Sequence, residues 1–434
     1  MTLIYNAVIV PDGSAVPSRG WLAFDRGTIL SLGHGDAPAA LFDSADERID
    51  AAGAYLLPGA IDCHVHFREP GLTHKATIAS ESRAALAGGV TSYIEMPNTK
   101  PATVTLADCE AKMHIAEAGS AGNYAFMLGA TADNLTELQH ADFSKVAAVK
   151  VFMGSSTGNM LLSDDSALRA VFAEQAGRIV VHAEDQAVID RNIERFSPIP
   201  DPDNMLWHTR LRSNEACVRA TERAMELASR YGSRLHVAHL TTAEEAALFD
   251  PSPLPGDKRI TAEVSPHHLI FTADDYSRLG SRIKMNPAVK FEADRRALRD
   301  AILSGRIDII ATDHAPHLLS EKAGDVFHAM SGAPMVQFSL VKMLDLFDPA
   351  TVVRRMCQSP AQLFGIEGRG TLDPGNYADL VLVEKLSEPH TITDADVLSP
   401  CGWTPLAGTP TTHRVVRTWV NGGTRPMPLT FHNN

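Results

Sequence analysis

The distribution of apolar and polar positions changes texture twice along the chain. Residues 2–10, 20–24 and 28–32 form short apolar runs separated by Pro11-Asp12-Gly13 and Asp25-Arg26-Gly27, with no helix-length period. Such runs between turn signals predict short β-strands. From Leu56 the chain alternates between strand-like and helix-like segments. Strand-like runs fall at 55–61, 90–96, 124–128, 146–152, 178–182, 234–239, 259–264 and 307–312. Helical periodicity covers 75–86 before Gly88-Gly89, 106–118 before Gly119, and 214–231 before Gly232. Eight strands, most with an intervening helix over roughly 300 residues, predict an α/β chain folded as a (β/α)8 TIM barrel with some long loops. After Gly365 the β texture returns at 376–383 and 414–422. The economical reading joins both chain ends into one small β-sandwich domain, from 1–55 and 366–434, beside a barrel over 56–365.

Composition narrows the function classes. The 434 residues suffice for a large core and two or three domains. No apolar run approaches the ~18 residues of a membrane span. Met1-Thr2-Leu3-Ile4-Tyr5 lacks the basic-then-apolar pattern of a signal peptide. The five cysteines, Cys63, Cys109, Cys217, Cys357 and Cys401, are scattered without a Cys-x-x-Cys. That pattern predicts a reducing cytoplasm rather than a disulfide framework. A formal charge of −13 disfavours nucleic acid as a partner, and an anionic substrate would need a locally positive site.

The candidate chemistry begins at Ile61-Asp62-Cys63-His64-Val65-His66-Phe67-Arg68-Glu69-Pro70-Gly71. Read as the end of a buried strand, this stretch sends His64 and His66 from the same face, because strand side chains alternate. Two imidazoles aimed at one point make a pair of ligands for a divalent transition metal, although both could be ordinary polar residues at a strand end. Arg68 and the Pro70-Gly71 turn set a guanidinium just beyond them. Its planar fork suits a carboxylate gripped by two parallel hydrogen bonds.

Asp-x-His-x-His-x-Arg-Glu-Pro-Gly over 62–71 resembles the opening motif of dihydroorotases in the amidohydrolase superfamily, whose near relatives include allantoinases and hydantoinases. In a barrel of this kind the active site lies at the C-terminal ends of the strands. The strand ends deliver His64 and His66, then Lys150, His182, His239 and Asp313. A lysine within an apolar strand is costly unless paired or neutralised. The resemblance implies a sharper role, in which the neutral amine of Lys150 takes up CO2. Its carbamate would bridge two zinc ions, one held by His64, His66 and Asp313 and the other by His182 and His239, with a hydroxide also between them. The ions and their anionic ligands would leave a local surplus of about +2. His236 is the rival to His239; three apart on a strand, only one should face the barrel interior, and the family's His-x-x-His favours the second.

Substrate groups follow from the same resemblance. Met96-Pro97-Asn98-Thr99 is similar to dihydroorotases, so Arg68 and Asn98 are the expected clamp for a ring carboxylate, with His317 as a third donor. Asn286, in Lys284-Met285-Asn286-Pro287, resembles a position near the pyrimidine ring. The implied reaction is reversible opening of dihydroorotate to N-carbamoyl-L-aspartate in pyrimidine (UMP) synthesis, with Asp313 as acid and base, in a homodimer. Alternatives are an allantoinase, a dihydropyrimidinase or hydantoinase, or an inactive dihydroorotase-like partner protein. Residues 317–334 differ from the version in common dihydroorotases, so ring specificity turns on that loop. Thr157-Gly158-Asn159 is a candidate second lid, and His267 and His268 receive no role.

Overall fold

A computed structural model describes residues 1–155, 160–162, 164–174, 177–254 and 258–432. The expected single strand over 55–61 is two strands in two different sheets. Tyr55–Pro58 lies antiparallel to Leu380–Thr391, while Ala60–Val65 lies parallel to Val90–Glu95. Gly59 is the joint between them. Its N–H donates to the Asp379 carbonyl, and a Cβ there would collide with the Thr91 side chain, so only glycine lets the chain cross.

The first of these strands belongs to a seven-stranded sheet built from both chain ends. Its order is Pro410–Trp419, Leu380–Thr391, Tyr55–Pro58, Thr2–Ile9, Ser18–Asp25 and Thr28–His34, with Glu47–Asp50 also paired to Thr2–Ile9. Ile4, Ile9, Leu22, Phe24, Leu56, Leu380 and Trp419 form one buried core of this domain, and Leu3 and Ala23 form another with Tyr5, Trp21 and Phe42. Alternating side chains thus give the sheet two apolar faces, the layered arrangement expected of a small β-sandwich domain. The strands near the C-terminus start and stop away from the expected 376–383 and 414–422. Past Glu384 the hairpin is largely exposed and polar, so it carries no burial pattern for the sequence to display.

Ala60–Val65, Val90–Glu95 and Asn123–Phe126 pair in parallel, and so do Leu128–Gly129, Val149–Phe152, Ile179–His182, Leu235–Val237, Ile260–Val264 and Ile309–Ile310. Asn123–Phe126 and Leu128–Gly129 are two parts of one stave. Met127 separates them, and Leu128 N–H reaches the Ala148 carbonyl at 3.0 Å to carry the barrel onward. Closure comes from His66 N–H, which donates to the His314 carbonyl at 2.8 Å. The result is an eight-staved (β/α)8 barrel.

The period-two pattern sorts its side chains. Val149, Val151, Val181, Leu235, Val237 and Val264 pack outward beneath the helices, whereas Ile61, Cys63, Ile94, Ala125, Ala148, Val180 and Ile309 pack together as a separate cluster in the lumen. Helix Asn214–Tyr231 ends as expected, with Gly232 left-handed at φ 72°. The helix expected from residue 75 begins at Ile78, because Thr77 caps it by accepting the Ser80 N–H. Among the described residues, no helix is long and apolar enough to cross a membrane.

Candidate metal centre

Cys63 and Ile61 face the lumen, yet so do His64 and His66. The strict alternation fails because pairing with Val90–Glu95 shifts register between Asp62 and Val65. That irregularity brings both rings to the barrel mouth. Asp313 arrives from beyond the last strand with φ 48°, His239 has φ 38° and Arg68 has φ 70°. Left-handed backbone at non-glycine residues is costly, and here it re-aims side chains at one point.

The expectation that only one of His236 and His239 faces inward does not hold. His236 contacts Thr261 Oγ1 at 3.0 Å and packs against Phe364 of the lumen cluster. The left-handed turn at His239 then breaks the alternation and directs that ring inward as well, 3.0 Å from His182 Nδ1. His236 is a structural histidine below the centre.

His64, His66 and Asp313 offer ligand atoms that all lie within 4.8 Å of one another and are all buried. The proton positions on their rings follow from the outer partners. His64 Nδ1 lies 2.7 Å from Glu263 Oε1, and His66 Nδ1 lies 2.7 Å from Asn98 Oδ1. An ionised carboxylate or an amide oxygen only accepts, so each ring proton sits on Nδ1. Burial pushes His66 down to about 4, which keeps that ring neutral at pH 7. Its unprotonated Nε2 then faces Asp313 Oδ1 at 3.1 Å, and His64 Nε2 faces the same oxygen at 3.4 Å. Three lone pairs therefore converge with no proton between them. A cation relieves that repulsion.

A second half-site adjoins the first, with the His64 and His239 ring centroids 5.3 Å apart. His182 Nε2 lies 3.0 Å from Glu184 Oε2, so its Nδ1 is free to face His239 Nε2. Arg212 in turn holds Glu184. Burial lowers the pKa of both His182 and His239. Lys150 is fully buried, and its Nζ has no hydrogen-bond partner among the described residues. Burial pushes it down to about 8 against the pull of Glu263 and Asp313. An orphaned amine beside two histidine half-sites fits the donor set that a pair of metal ions with a bridging anion requires.

Asn286, Ser331 and Gly332 line this inner pocket together with His64, His66, His182, His239 and Asp313. Asn286 Oδ1 is buried and has no partner among the described residues. Beside it opens a cavity of about 520 Å³ lined by Arg68, Lys75, Asn98, Lys100 and His317. Asn98 links the two, lining the cavity while its side-chain oxygen holds His66. The 317–334 loop supplies Ser331 and Gly332 to the inner pocket and His317 and Met330 to the outer one. Lys322 fastens that loop through three carbonyls, Lys284, Met330 and Gly332, at 2.7–3.1 Å. Thr157-Gly158-Asn159 lie outside the described residues. His268 Nε2 contacts the Pro287 carbonyl at 3.1 Å, while neither ring nitrogen of His267 has a partner among the described residues.

A model described as the Amidohydrolase family matches residues 55–425. The chain belongs to the amidohydrolase family. It is a metal-dependent cyclic amidohydrolase. The amidohydrolase is 38% identical to a dihydroorotase of Halobacterium salinarum over 83% of this chain and 87% of that one. It is 30% identical to an allantoinase of Bacillus velezensis over 96% and 93% of the two chains. Its fold is similar to that of the L-hydantoinase (dihydropyrimidinase) from Arthrobacter aurescens, with TM-score 0.90, 27% identity and coverage of 97% and 95%. Sequence reasoning on this amidohydrolase assigned no role to Glu263, Glu184 or Lys75. Acidic residues at a strand end were the available signal for the first two; Glu184 holds His182 only two residues away, whereas the pairing of Glu263 with His64 is a long-range fact.

Proposed function

We propose that this amidohydrolase is a dihydroorotase, opening the cyclic amide of dihydroorotate and closing N-carbamoyl-L-aspartate in the reverse direction, as in pyrimidine synthesis. The observation that carries this reading is the buried Arg68 guanidinium in a cavity that adjoins the converging lone pairs of His64, His66 and Asp313. A neutral cyclic amide has no use for a buried cation at that position; a ring carboxylate does.

His64, His66 and Asp313 would hold one ion and His182 and His239 a second, with Lys150 between them as a carbamate. The carbamate forms when the unprotonated amine adds to CO2 and releases one proton. Zinc is the metal these nitrogen and oxygen donors suit. When bound, such ions lower the pKa of water to about 7 and polarise a carbonyl. Arg68, Asn98 and His317 orient the ring by its carboxylate, with Asn286 beside the ring. Asp313 accepts the proton of the attacking water and delivers it to the departing ring nitrogen as the amide C–N bond breaks. A cytoplasmic homodimer accords with that pathway role.

The allantoinase and hydantoinase likenesses support a second cyclic amide as the alternative substrate. An inactive partner protein is disfavoured by the complete donor set. Metal analysis and turnover of dihydroorotate, allantoin and a hydantoin, measured on one pure sample, test the proposal. Bound zinc with dihydroorotate hydrolysis is expected. Hydrolysis of allantoin or the hydantoin without dihydroorotate would overturn it.

A further inference from the structure

Three buried side chains of the outer cavity form a line of contacts in which most protons can be placed. Lys75 Nζ lies 3.1 Å from His317 Nδ1 and 2.9 Å from Glu321 Oε1. An ammonium only donates, so Nδ1 accepts and a neutral ring carries its proton on Nε2. Nε2 has two neighbours of opposite character. The Ser331 carbonyl, at 3.0 Å, can take its proton; Arg68 Nη2, also at 3.0 Å, has only a proton to offer. Moving the proton to Nδ1 would suit Arg68, but it would set an N–H against the Lys75 ammonium and leave the Ser331 carbonyl without its donor. A doubly protonated ring would place a third cation between Arg68 and Lys75.

The mismatch at Nε2 disappears if a carboxylate oxygen enters the cavity. That oxygen accepts from Arg68 Nη2 and shares His317 Nε2–H with the Ser331 carbonyl, while the guanidinium stays anchored by its Nε, which donates to the Pro316 carbonyl at 3.0 Å. We propose that Lys75 determines specificity for anionic cyclic amides by donating to His317 Nδ1, which fixes the tautomer that pairs Nε2–H with Arg68 as a double donor for a carboxylate. This inference rests on the carboxylate reading of Arg68 given above. Charge agrees with it. Arg68 and Lys75 each bring one positive charge to this line against the one negative charge of Glu321, and Lys100 lines the same cavity, so the balance favours an anionic ligand.

Lys75 does not touch the ring in this account; it is a positioning residue acting through His317. The test compares wild type with Lys75→Met, Lys75→Gln and Lys75→Arg. It uses steady-state kinetics on dihydroorotate, direct binding of orotate by titration calorimetry, and thermal melts to verify folding. Lys75→Met is expected to raise KM and weaken orotate binding about ten-fold or more, the loss of one charge-assisted contact, with kcat changed less than about three-fold. Lys75→Arg, which keeps the donor, should restore most of the affinity, and Lys75→Gln should fall between. Unchanged KM and orotate affinity in Lys75→Met overturn the proposal, as do kcat and KM that fall together without rescue by arginine. If Lys75→Met does not fold, equal orotate affinities in Lys75→Gln and Lys75→Arg overturn it. A wild type that neither turns over dihydroorotate nor binds orotate would defeat the carboxylate reading itself, and the Lys75 proposal with it. A wild type that does both beside an indifferent Lys75 series defeats only the latter.

Discussion

Asn98 Oδ1 holds His66 Nδ1 at 2.7 Å, so one side chain of the outer cavity sets the tautomer of a histidine proposed as a metal ligand. Asn98→Ala should weaken metal binding about ten- to a hundred-fold, the usual cost of losing such an outer partner. Asn98→Asp, which keeps an acceptor, should retain most of the affinity. Competition against a chelator measures both; equal affinities in the two variants would remove the orienting role.

Lys150 should carry CO2. Wild type prepared with zinc and bicarbonate is expected to show a carbamate carbon resonance after labelling with carbon-13 bicarbonate, and Lys150→Met should show neither that signal nor a full complement of metal. An unmodified Lys150 in fully metallated, active protein would refute the bridging assignment.

Glu184 should make acid stability depend on the site. Burial raises its pKa, but Arg212 and His182 outweigh it and hold the carboxyl at about 2, against an ordinary 4.5. Because the folded value is the lower one, the stabilisation is present above pH 4.5 and is lost as pH falls toward 2. Glu184→Gln leaves Arg212 without its counter-charge and should cost about 3 kcal/mol at pH 7. Urea melts across that range should show the wild-type advantage fading toward acid; a constant gap would contradict the linkage.

Asp313 is ionised and buried where two histidine lone pairs point at it. Asp313→Asn removes the proton acceptor but keeps an oxygen at the same place. Turnover should fall by about 10²–10⁴-fold while most bound metal stays. Near-normal kcat with intact metal would exclude Asp313 as the acid and base.

Much of the barrel was legible because its signals are local. Alternating strand and helix periods located the staves, and Gly232 ended the longest helix where a left-handed residue was needed. The failures are equally specific. Tyr55–Pro58 and Ala60–Val65 read as one strand because nothing in an apolar run reveals that Gly59 hands the chain from one sheet to another. The 307–312 run is reduced to Ile309–Ile310 as a strand. On either side of it Asp308 N–H still donates to the Ala262 carbonyl and Ala311 N–H to the Val264 carbonyl, but Thr312 N–H turns to Asp62 Oδ1, so regular pairing ends there.

The chain's own order of residues determined the kinds of groups available: paired histidines after an apolar run, a lysine inside another, and a carboxylate after the last. Those are local facts, set by which side chain follows which stretch of backbone. Only the tertiary structure decided how they meet. The left-handed turns at His239 and Asp313, the register shift across His64, and the choice of Glu263 and Asn98 as outer partners depend on contacts between residues far apart in the chain. For His64 and His66 the Nε2 lone pair is turned to the centre because Nδ1 is occupied, and that occupant comes from a different part of the fold.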